Sequence, residues 1–150
     1  MRDAAMDAAA GLALKLSENR VLDAMDVRVE EAEIGYLELS VPAEAARDGA
    51  GYAVGAVAAL AEAAARFSLS ADGETAELSL HLHGLGADAD AKRLIARGEP
   101  VRDAQASRPM ATTQADVFQI GADGAETLLA TALVSVLVTG LVSGLSSEQV

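Results

Sequence analysis

In the stretch AVAALAEAAARF a single carboxylate, Glu62, stands among alanines and leucines at every neighbouring position up to Arg66. Burying an unpaired carboxylate costs several kcal/mol, on the order of the penalty for any buried ion, unless it is protonated, finds donors or faces water. Two readings therefore stand side by side: a functional carboxylate, or the i,i+4 partner of Arg66. Just ahead lies a glycine-bearing loop with Gly49, Gly51 and Gly55. Backbone N–H groups in the first turn of a helix have no intrahelical acceptor and point, with the helix dipole, at any oxyanion placed there. A donor-rich helix start with a carboxylate two turns on supplies the parts of an acyl-transfer site. His81 and His83, two apart in AELSLHLH, share a strand face, but no third ligand accompanies them, so ordinary exposed histidines are expected rather than a metal site. No G-x-S-x-G elbow, Walker motif or G-x-G-x-x-G fingerprint occurs.

The composition narrows the chemistry further. With no cysteine, disulfides, thiolate nucleophiles and Cys-ligated metal sites are excluded, which fits a cytoplasmic protein. Eleven Lys and Arg against 23 Asp and Glu give a net charge of −12, which repels phosphate backbones and argues against nucleic acid as a partner. Five of the cations, Lys92, Arg93, Arg97, Arg102 and Arg108, fall within one short span, a candidate anion-binding patch or a set of charged strand edges. Asp3 and Asp7 replace the positive charge that a secretory signal carries. Thr127 to Ser147 is uncharged over nearly the length of a membrane span, but it has no basic flank and is rich in Val and Thr. A buried strand is expected there, and no membrane partner.

The elements that must position these groups follow from periodicity. Residues 3 to 18 read as an amphipathic helix, within an N-terminal helical extension over 1–22. Asp26 to Val41 alternates around Ile34-Gly35 and reads as a bent strand or two short ones, closed by Pro42. An Ala-rich helix of about three turns carries Glu62; apolar nearly all round, it is expected to be enclosed by other elements. Four strands follow: AELSLHLH, Lys92 to Val101, about Met110 to Ile120, and Glu126 to Thr139, the last pair joined through Gly-Ala-Asp-Gly. Hairpin-length connections predict an antiparallel sheet with these strands as successive neighbours, curled around the helix. At 150 residues, 51% hydrophobic but only 3% aromatic, the chain is one α+β domain whose core is built of Ala, Leu and Val.

The loop, the phrase GAVAALAEAAA, the strand AELSLHLH and the closing GADGAETLLATALVSV resemble the hotdog-fold thioesterases, specifically the PaaI-like acyl-CoA thioesterases, over about Val27 to Thr139. Ala53-Val54-Gly55-Ala56 falls on that family's H-G-G-A, and Leu60-Ala61-Glu62 on its L-A-D/E step. The resemblance implies a hotdog domain with a five- or six-stranded antiparallel sheet around one long helix, assembled as a homodimer or a dimer of dimers. It implies hydrolysis of an acyl-CoA thioester at the dimer interface, with Glu62 as general base or nucleophile and the N–H groups of Val54 and Gly55 as oxyanion donors. Ala53 is the substrate-binding position at the family's histidine, and Lys92, Arg93, Arg97, Arg102 and Arg108 are the candidates for the CoA phosphates. No cofactor is implied beyond the CoA of the substrate. Ala53 replaces the family's histidine and Val54 its first glycine; backbone donors survive both changes, a side chain that helps place the thioester does not. The alternative is a non-catalytic hotdog protein that binds an acyl thioester or another small ligand.

Overall fold

The structure, a computed structural model, describes residues 11–101 and 110–137. A first helix, α1 (residues 11–17), stops where Asn19 turns the chain. Its Oδ1 accepts from the N–H groups of Val21 (3.0 Å) and Leu22 (3.2 Å) and so caps a second short helix, α2 (Arg20–Ala24). Leu12, Leu16 and Leu22 bury this pair against the core. The helix expected over 3–18 is thus seen from residue 11, and residues 1–10 lie outside the described ones.

Asp26 to Val41 resolves into two strands, β1 (Arg28–Glu33) and β2 (Tyr36–Pro42), turning at Gly35, whose φ of +84° suits glycine. After Pro42 come a single helical turn, α3 (Ala43–Ala46), and a tiny hairpin, β3 (Arg47–Asp48) and β4 (Gly51–Tyr52). These elements were not expected, because two to four residues show no periodicity. The Ala-rich helix, α4, runs Val54–Arg66; β5 (Glu74–Leu82), β6 (Arg93–Pro100), β7 (Met110–Ile120) and β8 (Glu126–Leu137) complete the chain. Each matches its expected segment, with the end of the last, 138–139, outside the described residues. No helix among the described residues is long and apolar enough to cross a membrane, and the uncharged stretch from Thr127 is strand β8 as far as Leu137.

Six strands form one antiparallel sheet in the order β1-β2-β6-β7-β8-β5. The expectation of successive neighbours fails at one place. β5 pairs with β8, not β6, and residues 83–92 cross between them. A connector of that length can span several strands, so its length does not fix the neighbour. β8, apolar along most of its 12 residues, instead takes β7 on one side and β5 on the other.

α4 lies on the inner face of this sheet. Val57, Leu60, Ala61 and Ala64 are wholly buried, together with Leu39, Val41, Leu94, Ala96, Ala115, Val117, Ala132 and Val134. Burying a Leu or Val side chain fully is worth about 1.5–3 kcal/mol. Small residues let the backbones meet: a Cβ at Gly98 of β6 would run into the Ala64 carbonyl. The helix is not enclosed on every side, however. Val54 and Gly55 are exposed and Ala58, Ala59, Glu62 and Arg66 half-buried, a stripe at helical spacing that the described elements cover only in part. Seven of the 13 helix residues are buried, and the remaining stripe is where the polar residues fall.

Candidate functional site

The open stripe of α4 begins at its first turn. Ala53, the N-cap, makes no side-chain capping bond. Its carbonyl accepts from Ala56 N–H (3.1 Å) and Val57 N–H (3.2 Å), whereas the N–H groups of Val54 and Gly55 meet no acceptor among the described residues. Gly55 has no positive φ, and a Cβ built there meets nothing within 4 Å. Neither backbone strain nor packing among the described residues requires glycine at this point. It leaves open space in front of two unsatisfied donors at the positive end of a 13-residue helix.

Seven residues on, at the same angle around the helix, Glu62 is held from two sides. Arg66 lies one turn further with its Nη1 3.7 Å from Glu62 Oε1, and Thr75, at the start of β5, donates its hydroxyl to the same oxygen at 3.4 Å. Arg66 is itself fixed: its Nε donates to the Gly73 carbonyl (2.6 Å), and its guanidinium stacks 4.7 Å from the centre of the Phe67 ring. The carboxylate borders a cleft of about 220 Å³ between the N-terminal helices and the second half of α4, lined by Lys15, Asn19, Leu22, Arg66 and Phe67 among others. The i,i+4 pairing anticipated for Glu62 is therefore present, and the group is also accessible. Thr75 was not foreseen, since it lies on another element and carries no signal linking it to Glu62.

The cationic span separates on folding. Leu94, Ala96 and Gly98 of β6 face α4, so Arg93 and Arg97, at alternate positions, point to the other side of the sheet. Arg97 donates from Nε to Glu38 (2.9 Å) and from both terminal nitrogens to Glu126 (2.9 and 2.7 Å), and it lies over Phe118. Those bonds, the Glu126 pair foremost, push its pKa further up, and Arg97 in turn holds the Glu126 carboxyl below the usual carboxylate range. Arg93 donates to Ser40 Oγ (2.7 and 3.1 Å), which bonds Glu30 (2.6 Å). Lys92 is exposed at the foot of β6; Arg102 and Arg108 lie outside the described residues. Within one chain the sheet stands between Arg93 or Arg97 and the helix start. Among the described residues a cation does lie beside that start: Arg47, opposite Tyr52 in the β3–β4 pair, with its Nη2 donating to the carbonyls of Asp88 (2.8 Å) and Ala89 (3.1 Å). It went unnoticed because it lies outside the basic run. His81 and His83 do share a face, their rings 4.6 Å apart, and among the described residues no cluster of three metal-ligating side chains occurs.

No protein-family model matches the sequence, and no curated protein matches it. Solved structures do. A thioesterase family protein from Silicibacter pomeroyi superposes with a TM-score of 0.69 at 19% identity, covering 86% of this chain and 96% of that one. The PaaI protein of the phenylacetic acid degradation operon of E. coli gives 0.62 at 12% identity, over 92% of this chain and 100% of that one. A mutant of the phenylacetic acid degradation protein PaaI from Thermus thermophilus gives 0.61 at 22% identity, over 79% and 98%. This chain has the hotdog fold. The hotdog expectation drawn from the loop and the Ala-rich helix holds, with six strands rather than five. Identities this low carry the architecture and leave the chemistry to the residues of the site.

Within the hotdog, a second buried constellation lies behind the helix start. Tyr52, immediately before the N-cap, donates its hydroxyl to Gln119 Oε1 (2.9 Å). Burial pushes the Tyr52 phenol above its usual pKa, with Asp88 adding to the shift and Arg47 opposing it. Both residues were missed, although a glutamine at an inward-facing position of β7, two after Val117, is a readable signal of a buried polar contact.

Proposed function

We propose that this protein hydrolyses an acyl-CoA thioester at a site shared between two copies of the chain. The observation that carries the reading is the open stripe of α4, with two N–H donors at Val54 and Gly55 that meet no acceptor among the described residues and the accessible carboxylate of Glu62 on the same face. At a rise of 1.5 Å per residue Gly55 and Glu62 are about 10 Å apart along the helix, too far for one carbonyl carbon to be polarised by one and attacked from the other. A second chain solves this geometry. A two-fold pairing that sets two α4 stripes against each other brings the donors of one protomer to the partner's Glu62. β5 favours such a pairing, being the sheet edge nearest Glu62 through Thr75, with Leu78 and Leu82 about 40% exposed on it.

In this arrangement the Val54 and Gly55 N–H groups bind the thioester oxygen and stabilise the negative charge that develops on it. Either the carboxylate takes a proton from the water that attacks the carbonyl carbon and the CoA thiolate leaves with the acid as the other product, or the carboxylate itself attacks, the thiolate leaves, and water then hydrolyses the mixed anhydride to the acid and free Glu62. The absence of a histidine at Ala53 leaves positioning of the thioester to the backbone alone. The test is thiol release from short, medium, long and aromatic acyl-CoAs, together with sedimentation at micromolar concentration. Turnover of at least one thioester by a dimer or a dimer of dimers is expected. Silence across the panel overturns the hydrolysis, and a monomer overturns the shared site.

A further inference from the structure

We infer that Gln119 is a positioning residue that aims the first-turn N–H groups of α4, acting through Tyr52 and without touching the ligand; the inference rests on the reading of those groups as oxyanion donors. Gln119 is the last inward-facing residue of β7 and only 6% exposed. Its side-chain amide makes three hydrogen bonds: Oε1 accepts from the Tyr52 hydroxyl (2.9 Å) and from the Asp88 N–H (3.0 Å), and Nε2 donates to the Gly86 carbonyl (3.1 Å). It thereby joins the residue that leads into the α4 N-cap to the 83–92 crossover.

The backbone closes the same clamp. Tyr52 N–H donates to Leu85 O (2.8 Å), Ala87 N–H to Ala50 O (3.1 Å) and Ala53 N–H to Ala46 O (2.9 Å). A Cβ at Gly51 would come within 2.5 Å of Leu85 O, so the two segments touch backbone to backbone. Ala53 supplies no side-chain cap, and while the bonds from Ala56 and Val57 to its carbonyl hold the first-turn peptides within α4, it is this clamp that sets where the helix start, with its Val54 and Gly55 N–H groups, sits against the crossover. Gln119 satisfies the Asp88 N–H and the Gly86 carbonyl, but the Tyr52 hydroxyl adds nothing that a core requires, since without it Gln119 Oε1 keeps the Asp88 N–H as its donor. A fully bonded polar network, by contrast, admits one geometry. Oxyanion donors need that, since an ångström of misplacement costs orders of magnitude in rate.

The test uses Tyr52→Phe and the more severe Gln119→Leu, neither of which alters a group in contact with substrate. Two quantities are read: kcat and KM on an acyl-CoA that the parent hydrolyses, at a temperature where circular dichroism shows each variant folded, and 15N order parameters along α4. Expected are a fall in kcat of about tenfold or more with KM nearly unchanged, and lower order parameters at Val54 and Gly55 with Leu60 unmoved. Parental kcat in folded Tyr52→Phe overturns the inference, as do unchanged order parameters at the two amides. If Gln119→Leu does not fold, Tyr52→Phe decides alone. A parent with no turnover on any acyl-CoA removes the proposed hydrolysis instead, and the order parameters then decide the clamp.

Discussion

Glu62→Gln separates the two roles that the structure allows this residue, because the change keeps size and hydrogen-bonding capacity while removing the charge and the ability to act as base or nucleophile. The stability side can be worked from the geometry. At 3.7 Å from Arg66 a pair of unit charges attracts by about 1 kcal/mol in water and about 4 kcal/mol at an effective dielectric of 20. With the two side chains 34% and 30% exposed, screening and the entropy of holding both chains in place leave less than about 1 kcal/mol. Glutamine still accepts from Thr75. The variant should therefore melt within about 4 °C of the parent, the shift that 1 kcal/mol produces in a chain of this size. If Glu62 is the catalytic carboxylate, turnover falls by about 10² or more, equivalent to about 2.7 kcal/mol of barrier. The activity effect should exceed the stability effect several-fold. Scanning calorimetry and thiol release at saturating acyl-CoA, on the same two preparations, provide the comparison. A variant that loses many degrees yet keeps parental turnover assigns Glu62 to the fold and ends the catalytic reading.

Three other outcomes are expected. Gly55→Ala should leave stability unchanged or raise it, by up to about 1 kcal/mol from the better helix former, since a Cβ there meets nothing among the described residues; thiol release should nevertheless drop, because the methyl group enters the space in front of the donors, and parental kcat/KM would contradict that use of the space. Gly98→Ala should cost about 3 kcal/mol or more in denaturant unfolding, because its Cβ runs into the α4 backbone at Ala64; a cost below about 1 kcal/mol would show that the helix can shift off β6. Glu126 has its pKa lowered by Arg97 from 4.5, so its contribution is present above that value and lost as pH falls through the lower, folded-state one. The stability gap between parent and Glu126→Gln should accordingly be constant from pH 7 down to about 5 and shrink below pH 4.5, and a gap that widens on acidification would reverse the assignment.

The residues of α4 were legible from the chain alone because their signal is local. An apolar helix interrupted by one carboxylate, with glycines before it, marks Gly55 and Glu62 whatever surrounds them, and the period-two runs mark β5 to β8 nearly to the residue. Strand neighbours were not, since the pairing of β5 with β8 rather than β6 is settled by where residues 83–92 can pass and by which long apolar strand needs two partners. Nor was the fate of the cations: Lys92, Arg93 and Arg97 are close in sequence, but strand alternation turns Arg93 and Arg97 away from the helix, and Arg97 is taken by Glu38 and Glu126, which lie on β2 and β8. Tyr52 and Gln119, like Glu62 and Thr75, meet only because distant elements converge. Sequence spacing reports what a residue can do on its own helix or strand; which side chains come within hydrogen-bonding reach of one another across elements is decided by the packing of α4 into the sheet, where small residues such as Gly98 and Ala64 let the backbones approach.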